Sequence, residues 1–431
     1  VNGLLTDLYE LTMSAGFFAE ARHDYMATFE ASIRRLPRNR DWLVVAGIER
    51  AVDYLLNLSY TEEEIDYLRG LRQLRHAPPE FFHYLRDFRF TGDVDSVPEG
   101  TVLFAGEPVL SIRAPLIQAQ IPETYLLSAI TFESLIATKA ARIADAAGSR
   151  SVLEFGTRRA HTPEAGTLGA RAAYIGGCSG TSNTLAGFRY GIPVFGTAAH
   201  SWVMSFQDES EAFRSLQRLL GDQTVQLIDT YDAIEGARKT AQLGRPLWGV
   251  RLDSGDLLKL SLEVRQILND AGLQEARIMA SGDLDEHRIA ALVSAGAPID
   301  SFGVGTELAT SADAPAMGMI YKIVELEEEG RLRYTAKNSE GKPSIPGAKQ
   351  VWRAPDGDTV SLATETVASA VPLLQPLIRN GRRVGPVESI ETMRCRATET
   401  RRNVSANHPV RRSAALESLV RKMQDHVTRL S

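Results

Sequence analysis

The sequence predicts an α/β fold in which a parallel β/α barrel is joined to a second α/β domain assembled from flanking segments. Three observations lead there. Short apolar or β-branched runs recur through the centre, at 152–155, 192–195, 224–228, 247–252, 276–280 and 300–304, with their ends 24 to 40 residues apart. Helix-like segments separate them, and strands alternating with helices imply parallel βα units. Strand-like runs also lie on both sides of this centre, giving a second domain two halves to pair. An open doubly wound sheet would likewise put ligands at the carboxyl ends of its strands, and spacing alone permits both; the barrel is preferred.

The elements follow in chain order. Residues 1–24 read as an N-terminal arm or helix. Residues 25–118 form the first part of the flanking domain, with strand-like runs at 28–33, 41–45 and 101–112 and a charged helical stretch at 61–90. Residues 119–319 form the barrel. It opens with an Ala- and Leu-rich helix at 122–147, and the long gap after the first run leaves room for another strand at 174–177. Helices are expected at 208–220 and 257–271, each stopped by a glycine, and after 281–283, where Ser281 or Asp283 can cap. Residues 320–431 add strand-like runs at 320–326, 331–335 and 349–352, then basic C-terminal helices.

Composition bounds the function. The chain has 431 residues, 48 Lys and Arg against 54 Asp and Glu, and 44% hydrophobic residues, values of an ordinary globular protein. The net charge of −6 argues against nucleic acid as the main partner. It averages a tail, 379–431, with 12 basic and 5 acidic residues, and a body of opposite sign; the tail reads as solvated helices. No apolar run approaches the ~20 residues of a membrane span. Asp7 and Glu10 in the first turns are unlike a signal peptide. Cys178 and Cys395 are the only cysteines, which excludes a four-Cys zinc site and a disulfide framework and suits a reducing compartment.

Polar residues follow the strand runs closely. After the first come Phe155, Gly156 and the pair Arg158-Arg159. Adjacent guanidiniums suit phosphate or carboxylate, because each planar fork donates two parallel hydrogen bonds; a surface ion pair is the structural alternative. The segment 176–183 is rich in glycine and hydroxyls, including Thr181 and Ser182, and lacks the lysine and spacing of a P-loop. His200 stands just past the 192–195 run and can act as acid, base or nucleophile. Asp229, Asp253 and Asp283 supply carboxylates at three more strand ends. They can orient a histidine, bind Mg²⁺ together with substrate phosphates, or accept from ribose hydroxyls; Asp232 and Asp256 read as helix caps. Gly303, Gly305 and Thr306 make a glycine turn after the last run, where barrels commonly build a phosphate site.

Together these motifs resemble the nicotinate phosphoribosyltransferase family. The resemblance begins at Leu4-Leu5-Thr6-Asp7-Leu8-Tyr9-Glu10-Leu11-Thr12-Met13 and runs through Ala137-Thr138-Lys139-Ala140-Ala141-Arg142. It continues through the strand-end motifs to Tyr321-Lys322-Ile323-Val324-Glu325, Lys337-Asn338-Ser339 and Pro346-Gly347-Ala348-Lys349. It starts at the first residues, so no long leader is expected.

The resemblance implies that nicotinate and 5-phosphoribosyl 1-diphosphate give nicotinate mononucleotide and pyrophosphate, with ATP hydrolysis coupled to the transfer. It implies an irregular barrel, a cytoplasmic enzyme, and a homodimer with active sites built across the interface. His200 matches a histidine that ATP phosphorylates transiently, and Asp229 the carboxylate that holds it. Phe155 matches the ring that stacks on the pyridine, and Tyr9 a tyrosine reaching the opposite face from the other subunit. Arg158, Gly282, Gly305 and Thr306 are the expected phosphate contacts, and Asp253 and Asp283 the candidates for ribose hydroxyls or metal waters. Thr181 joins this substrate-binding set. Mg²⁺ would be held mainly by substrate phosphates.

Relatives that use nicotinamide carry an aspartate where Ser182 stands. A neutral Ser182 with Arg251 nearby therefore favours the acid over the amide. Ser128, Thr131, Glu133 and Ala198 depart from the family's usual residues and bear on the fine shape of the pocket. Nicotinamide phosphoribosyltransferase and a non-catalytic ligand-binding relative are the alternatives. An aldolase is disfavoured, because no lysine stands at an evident strand end.

Overall fold

A computed structural model describes residues 3–337, 344–404 and 408–430, with side chains to residue 425. Asn338 and Ser339 of the resemblance lie outside the described residues. The chain divides into two compact units, residues 1–135 with 316–431, and residues 136–315.

The first unit is organised by an antiparallel seven-stranded sheet. Its order is Arg331–Tyr334, Gly318–Glu328, Met26–Arg35, Pro108–Pro115, Asp93–Ser96, Gln375–Arg379, Arg382–Arg383. Met26–Arg35 is buried along most of its length and pairs on one side with Gly318–Glu328 and on the other with Pro108–Pro115. The 101–112 run is two strands rather than one. Val102–Leu103 pairs with Leu43–Val44, and a turn at Gly106, with φ +94°, separates it from Pro108–Pro115. The 61–90 stretch is likewise two helices, Glu62–Gly70 and Pro79–Arg86. The first opens with a capping box between Thr61 and Glu64. A four-stranded sheet holds Lys349–Ala354 and Gly357–Leu362, with Val371–Pro372 and Val410–Arg412 at its edges. The basic tail is thus more than solvated helix. Besides helices Ile390–Asn403 and Ala414–Leu430 it supplies that last strand, and it buries Met393, Ala397 and Leu416.

One buried carboxyl group in this unit has a measurable consequence. Glu10, on helix Leu8–Ala19, is wholly buried; Gln120 donates to its Oε2, and its Oε1 has no hydrogen-bond partner among the described residues. Burial raises its pKa from 4.5 to about 7, against the opposing hydrogen bond from Gln120. The folded chain therefore keeps a proton that the unfolded chain releases between those values, so stability falls as pH rises through that window. Glu10→Gln keeps the neutral form at every pH. Unfolding measured across the window should show the wild type losing on the order of 3 kcal/mol of stability relative to the variant. Parallel curves would mean that Glu10 is ionised when folded.

The second unit holds six parallel strands in the order Gly180–Thr181, Ser151–Glu154, Ser301–Val304, Arg277–Ala280, Gly249–Leu252, Val225–Leu227. The first and last long strands of the series, Ser151–Glu154 and Ser301–Val304, are direct neighbours. This is the cyclic order of a β/α barrel, and a doubly wound sheet does not bring its first and last strands together in this way. The series has one seam. The 192–195 run forms no strand and contributes a single bridge, Val194 to Thr181, and no pairing among the described residues joins it to Val225–Leu227. Pro193 has no N–H for a ladder, and Val194 and Phe195 are about half exposed.

The extra strand is not at 174–177. Those residues end helix Pro163–Gly176, where Ala170, Ala172 and Ala173 favour the helix and Gly177, at φ +122°, stops it. The strand forms at Gly180–Thr181 instead. Asp208, Asp232 and Asp256 cap the helices that follow them. The cap of helix Glu286–Ser294 is Asp285, whose carboxylate takes the Arg288 N–H, and neither Ser281 nor Asp283. Within this unit Lys139 is buried against Glu286 and Asp313.

Candidate active site

The carboxyl ends of the parallel strands surround two adjoining cavities of about 360 and 250 Å³ that share Phe155, Arg158, Arg251 and Asp253. Ser182, Ala198 and His200 line the larger one. Arg159, Gly282, Asp283, Gly305 and Thr306 line the smaller.

Phe155 sits where it does because its neighbour strand carries Gly303. A Cβ there would stand 2.6 Å from the ring, so glycine at that position lets the ring sit against the strand. The Arg251 guanidinium lies over the ring, 5.7 Å from its centroid. Arg158 and Arg159 occupy a single 3-10 turn, Thr157–Arg159, and are exposed. Neither guanidinium has a hydrogen bond or ion pair among the described residues, so both are available to an anion.

Gly282 has φ +92° and backs onto the Asp253 carbonyl, 2.0 Å from where a Cβ would be. Asp283, beside it, is held at φ +46°, a conformation that aspartate tolerates better than most residues. Its exposed carboxylate has no partner among the described residues. At Gly305 an added Cβ would meet only backbone at 3.6 Å, so packing does not demand the glycine, which lines the cavity.

The predicted pairing of His200 with Asp229 is not what the structure shows. Asp229 Oδ2 accepts from the Asp253 N–H and from Ser254 Oγ, both at 2.8 Å, and its Oδ1 is buried without a partner among the described residues. The His200 ring meets Thr230 Oγ1 through Nδ1 at 3.1 Å, and its Nε2 lies 3.7 Å from Asp253 Oδ2. Burial disfavours the Asp253 carboxylate. The hydrogen bond from Ser281 and the charge and hydrogen bond of Arg251 outweigh this and hold its pKa below the ordinary range.

Thr181 is also placed differently. It is wholly buried and its hydroxyl donates to Glu154 Oε2 at 2.5 Å, so it braces the wall and does not line it. Glu154 was not singled out from the sequence. It accepts from Thr181 and from the Gly156 N–H, and burial raises its pKa. Ser182, whose own side chain has no partner among the described residues, follows directly. Thr197, Thr230 and Ser281 were missed too, since a lone hydroxyl after a strand carries little signal. Tyr9 belongs to the other unit, on helix Leu8–Ala19, with its ring about half exposed.

Unpaired arginines, open glycine turns and an aromatic wall at the carboxyl ends of parallel strands define a β/α-type enzyme unit suited to a phosphorylated ligand. The particular family follows from comparison: the chain belongs to the nicotinate phosphoribosyltransferase family. Residues 4–131 match the N-terminal domain of nicotinate phosphoribosyltransferase, and residues 151–366 match the nicotinate phosphoribosyltransferase family itself. The chain is 45% identical over 395 residues to nicotinate phosphoribosyltransferase pncB2 of Mycobacterium tuberculosis, covering 89% of this chain and 83% of that protein. It is 43% identical to the nicotinate phosphoribosyltransferase of Bacillus subtilis, covering 84% and 77%. Among solved structures, human nicotinic acid phosphoribosyltransferase superposes with a TM-score of 0.83 at 27% identity, over 97% of this chain and all of that one. No helix among the described residues is long and apolar enough to cross a membrane.

Proposed function

We propose that the chain transfers the phosphoribosyl group of 5-phosphoribosyl 1-diphosphate to nicotinate, forming nicotinate mononucleotide and pyrophosphate for NAD biosynthesis, with ATP hydrolysis coupled through His200. The observation that carries this reading is the shared wall of the two cavities. It joins an aromatic ring and a fixed arginine, suited to a pyridine carboxylate, to unpaired arginines and glycine turns, suited to phosphates.

The pyridine nitrogen attacks the anomeric carbon as its bond to diphosphate oxygen breaks, and the electron pair leaves with pyrophosphate. Charge develops on the ribose as at other anomeric centres. The site's work is to orient the ring and stabilise the leaving group. Phe155 and Arg251 hold the base, and Arg158 with the Gly282, Gly305 and Thr306 backbones holds phosphate. Asp253 and Asp283 face ribose hydroxyls. Mg²⁺ fits this lining, because Asp283 presents an unpaired carboxylate to a cavity edged by phosphate-binding groups; the ion would supply charge neutralisation and take most of its ligands from the substrate.

A cytoplasmic homodimer is part of the reading. Exposed apolar side chains, Phe188 at 88% and Phe195 at 44%, with Leu5 at 57% and Met13 at 37% on either side of Tyr9 in the sequence, support a partner subunit that brings its Tyr9 to the base.

Product analysis with nicotinate, nicotinamide and quinolinate in competition tests the assignment, and a preference for either of the last two overturns it. Titration with 5-phosphoribosyl 1-diphosphate followed by a pyrophosphate-release assay separates an enzyme from a binding relative. Ser182→Asp should place a carboxylate against nicotinate's own and lower the preference for acid over amide roughly ten-fold or more. Steady-state kinetics on both substrates checks this, and an unchanged ratio would remove Ser182 from the specificity argument.

A further inference from the structure

A guanidinium has five N–H groups, and the protein uses three of those on Arg251. Nε donates to Ser281 Oγ at 2.8 Å, Nη1 to Thr197 Oγ1 at 2.7 Å and Nη2 to Asp253 Oδ1 at 2.8 Å. One N–H is left on each terminal nitrogen. Two N–H groups on neighbouring nitrogens match the two parallel hydrogen bonds that a carboxylate accepts.

Ser281 closes this arrangement. Its hydroxyl accepts from Arg251 and donates to Asp253 Oδ1 at 2.6 Å, with the Leu252 carbonyl farther off at 3.4 Å, so it stands between the two charges. It is 3% exposed, which shields these bonds from water. Without that oxygen, Nε would lose its acceptor and Asp253 Oδ1 one donor. The simplest repair is for Arg251 to turn its Nε and Nη2 edge directly onto the Asp253 carboxylate. That movement carries the guanidinium away from its place against Phe155 and re-aims the two remaining N–H groups.

We infer that Ser281 and Thr197 are positioning residues that set the preference of the site for a carboxylate by fixing the Arg251 fork. Neither residue was given a site role by the motifs, and their effect is exerted through Arg251. The inference rests on the reading of Arg251 as the group that meets the carboxylate of nicotinate.

The test compares Ser281→Ala, Thr197→Val and Arg251→Gln in the full chain, with steady-state kinetics on nicotinate and 5-phosphoribosyl 1-diphosphate and thermal melting as a check of folding. Ser281→Ala should raise KM for nicotinate roughly ten-fold or more, and KM for 5-phosphoribosyl 1-diphosphate less than about three-fold. A merely structural role would move both together, so an equal rise, or a nicotinate KM near that of the wild type, overturns the inference. Thr197→Val, at the more open end of the fork, tests the same lock should Ser281→Ala not fold; it should shift nicotinate selectively, and no shift counts against the proposal. Arg251→Gln separates the two layers. If it raises the nicotinate KM while the hydroxyl variants do not, the positioning inference alone fails. If it leaves that KM unchanged, the assignment of Arg251 to the base fails and the inference falls with it.

Discussion

ATP hydrolysis is expected to part from phosphoribosyl transfer when His200 is replaced by alanine. The imidazole is the first residue of a short helix, His200–Met204, 41% exposed and on the lining of the larger cavity. Thr230 steadies one ring nitrogen while the other points towards Asp253, so the ring is oriented without being enclosed. In the proposed cycle the γ-phosphoryl group leaves ADP for an imidazole nitrogen and then passes to water. His200 takes no part in forming the bond between ribose and pyridine. His200→Ala should therefore lose all ³²P labelling from γ-labelled ATP and all stimulation by ATP, while a slow ATP-independent release of pyrophosphate persists. Label that survives in the variant would place the acceptor elsewhere.

Arg158→Ala should lower kcat/KM for 5-phosphoribosyl 1-diphosphate by roughly 100- to 1000-fold, the scale of removing one preorganised donor from developing negative charge. The native side chain is exposed and pairs with nothing among the described residues, so its removal leaves no buried partner unsatisfied and the melting temperature should hold. Arg158→Lys keeps the charge but not the fork and should recover only part of the loss. A reduction of less than about three-fold in the alanine variant would show that the diphosphate lies elsewhere.

Much of the barrel unit was legible because the signals are local. Five of the six apolar runs fall within a residue or two of observed strands, since an apolar run between a helix and a polar turn has few other ways to bury itself. The sixth failed because Pro193 cannot donate and because strand formation there depends on a neighbour across the seam. Strand ends also carried the site: Phe155, Arg158, Ser182, His200, Arg251 and Asp253 do meet at one lining. Partnerships were not legible. That the His200 ring points towards Asp253, while Asp229 accepts from the Asp253 N–H and Ser254, is decided by how separate loops pack, which no local signal carries. The bracing by Glu154 and Ser281 is equally non-local, joining groups 27 and 28 residues apart through sheet neighbours.

The strand Met26–Arg35 has a history set by the order of translation. One of its neighbours, Pro108–Pro115, leaves the ribosome soon after it, but the other, Gly318–Glu328, lies nearly 300 residues downstream. At synthesis rates of about 5–20 residues per second that partner arrives roughly 15 to 60 s later. During the wait, residues 136–315 are made in full and have every strand of their own sheet, while the nascent first unit carries an open edge along its longest buried strand. Such an edge can recruit another nascent chain. The vulnerable stage in the making of this enzyme is thus the interval before the last quarter of the chain emerges.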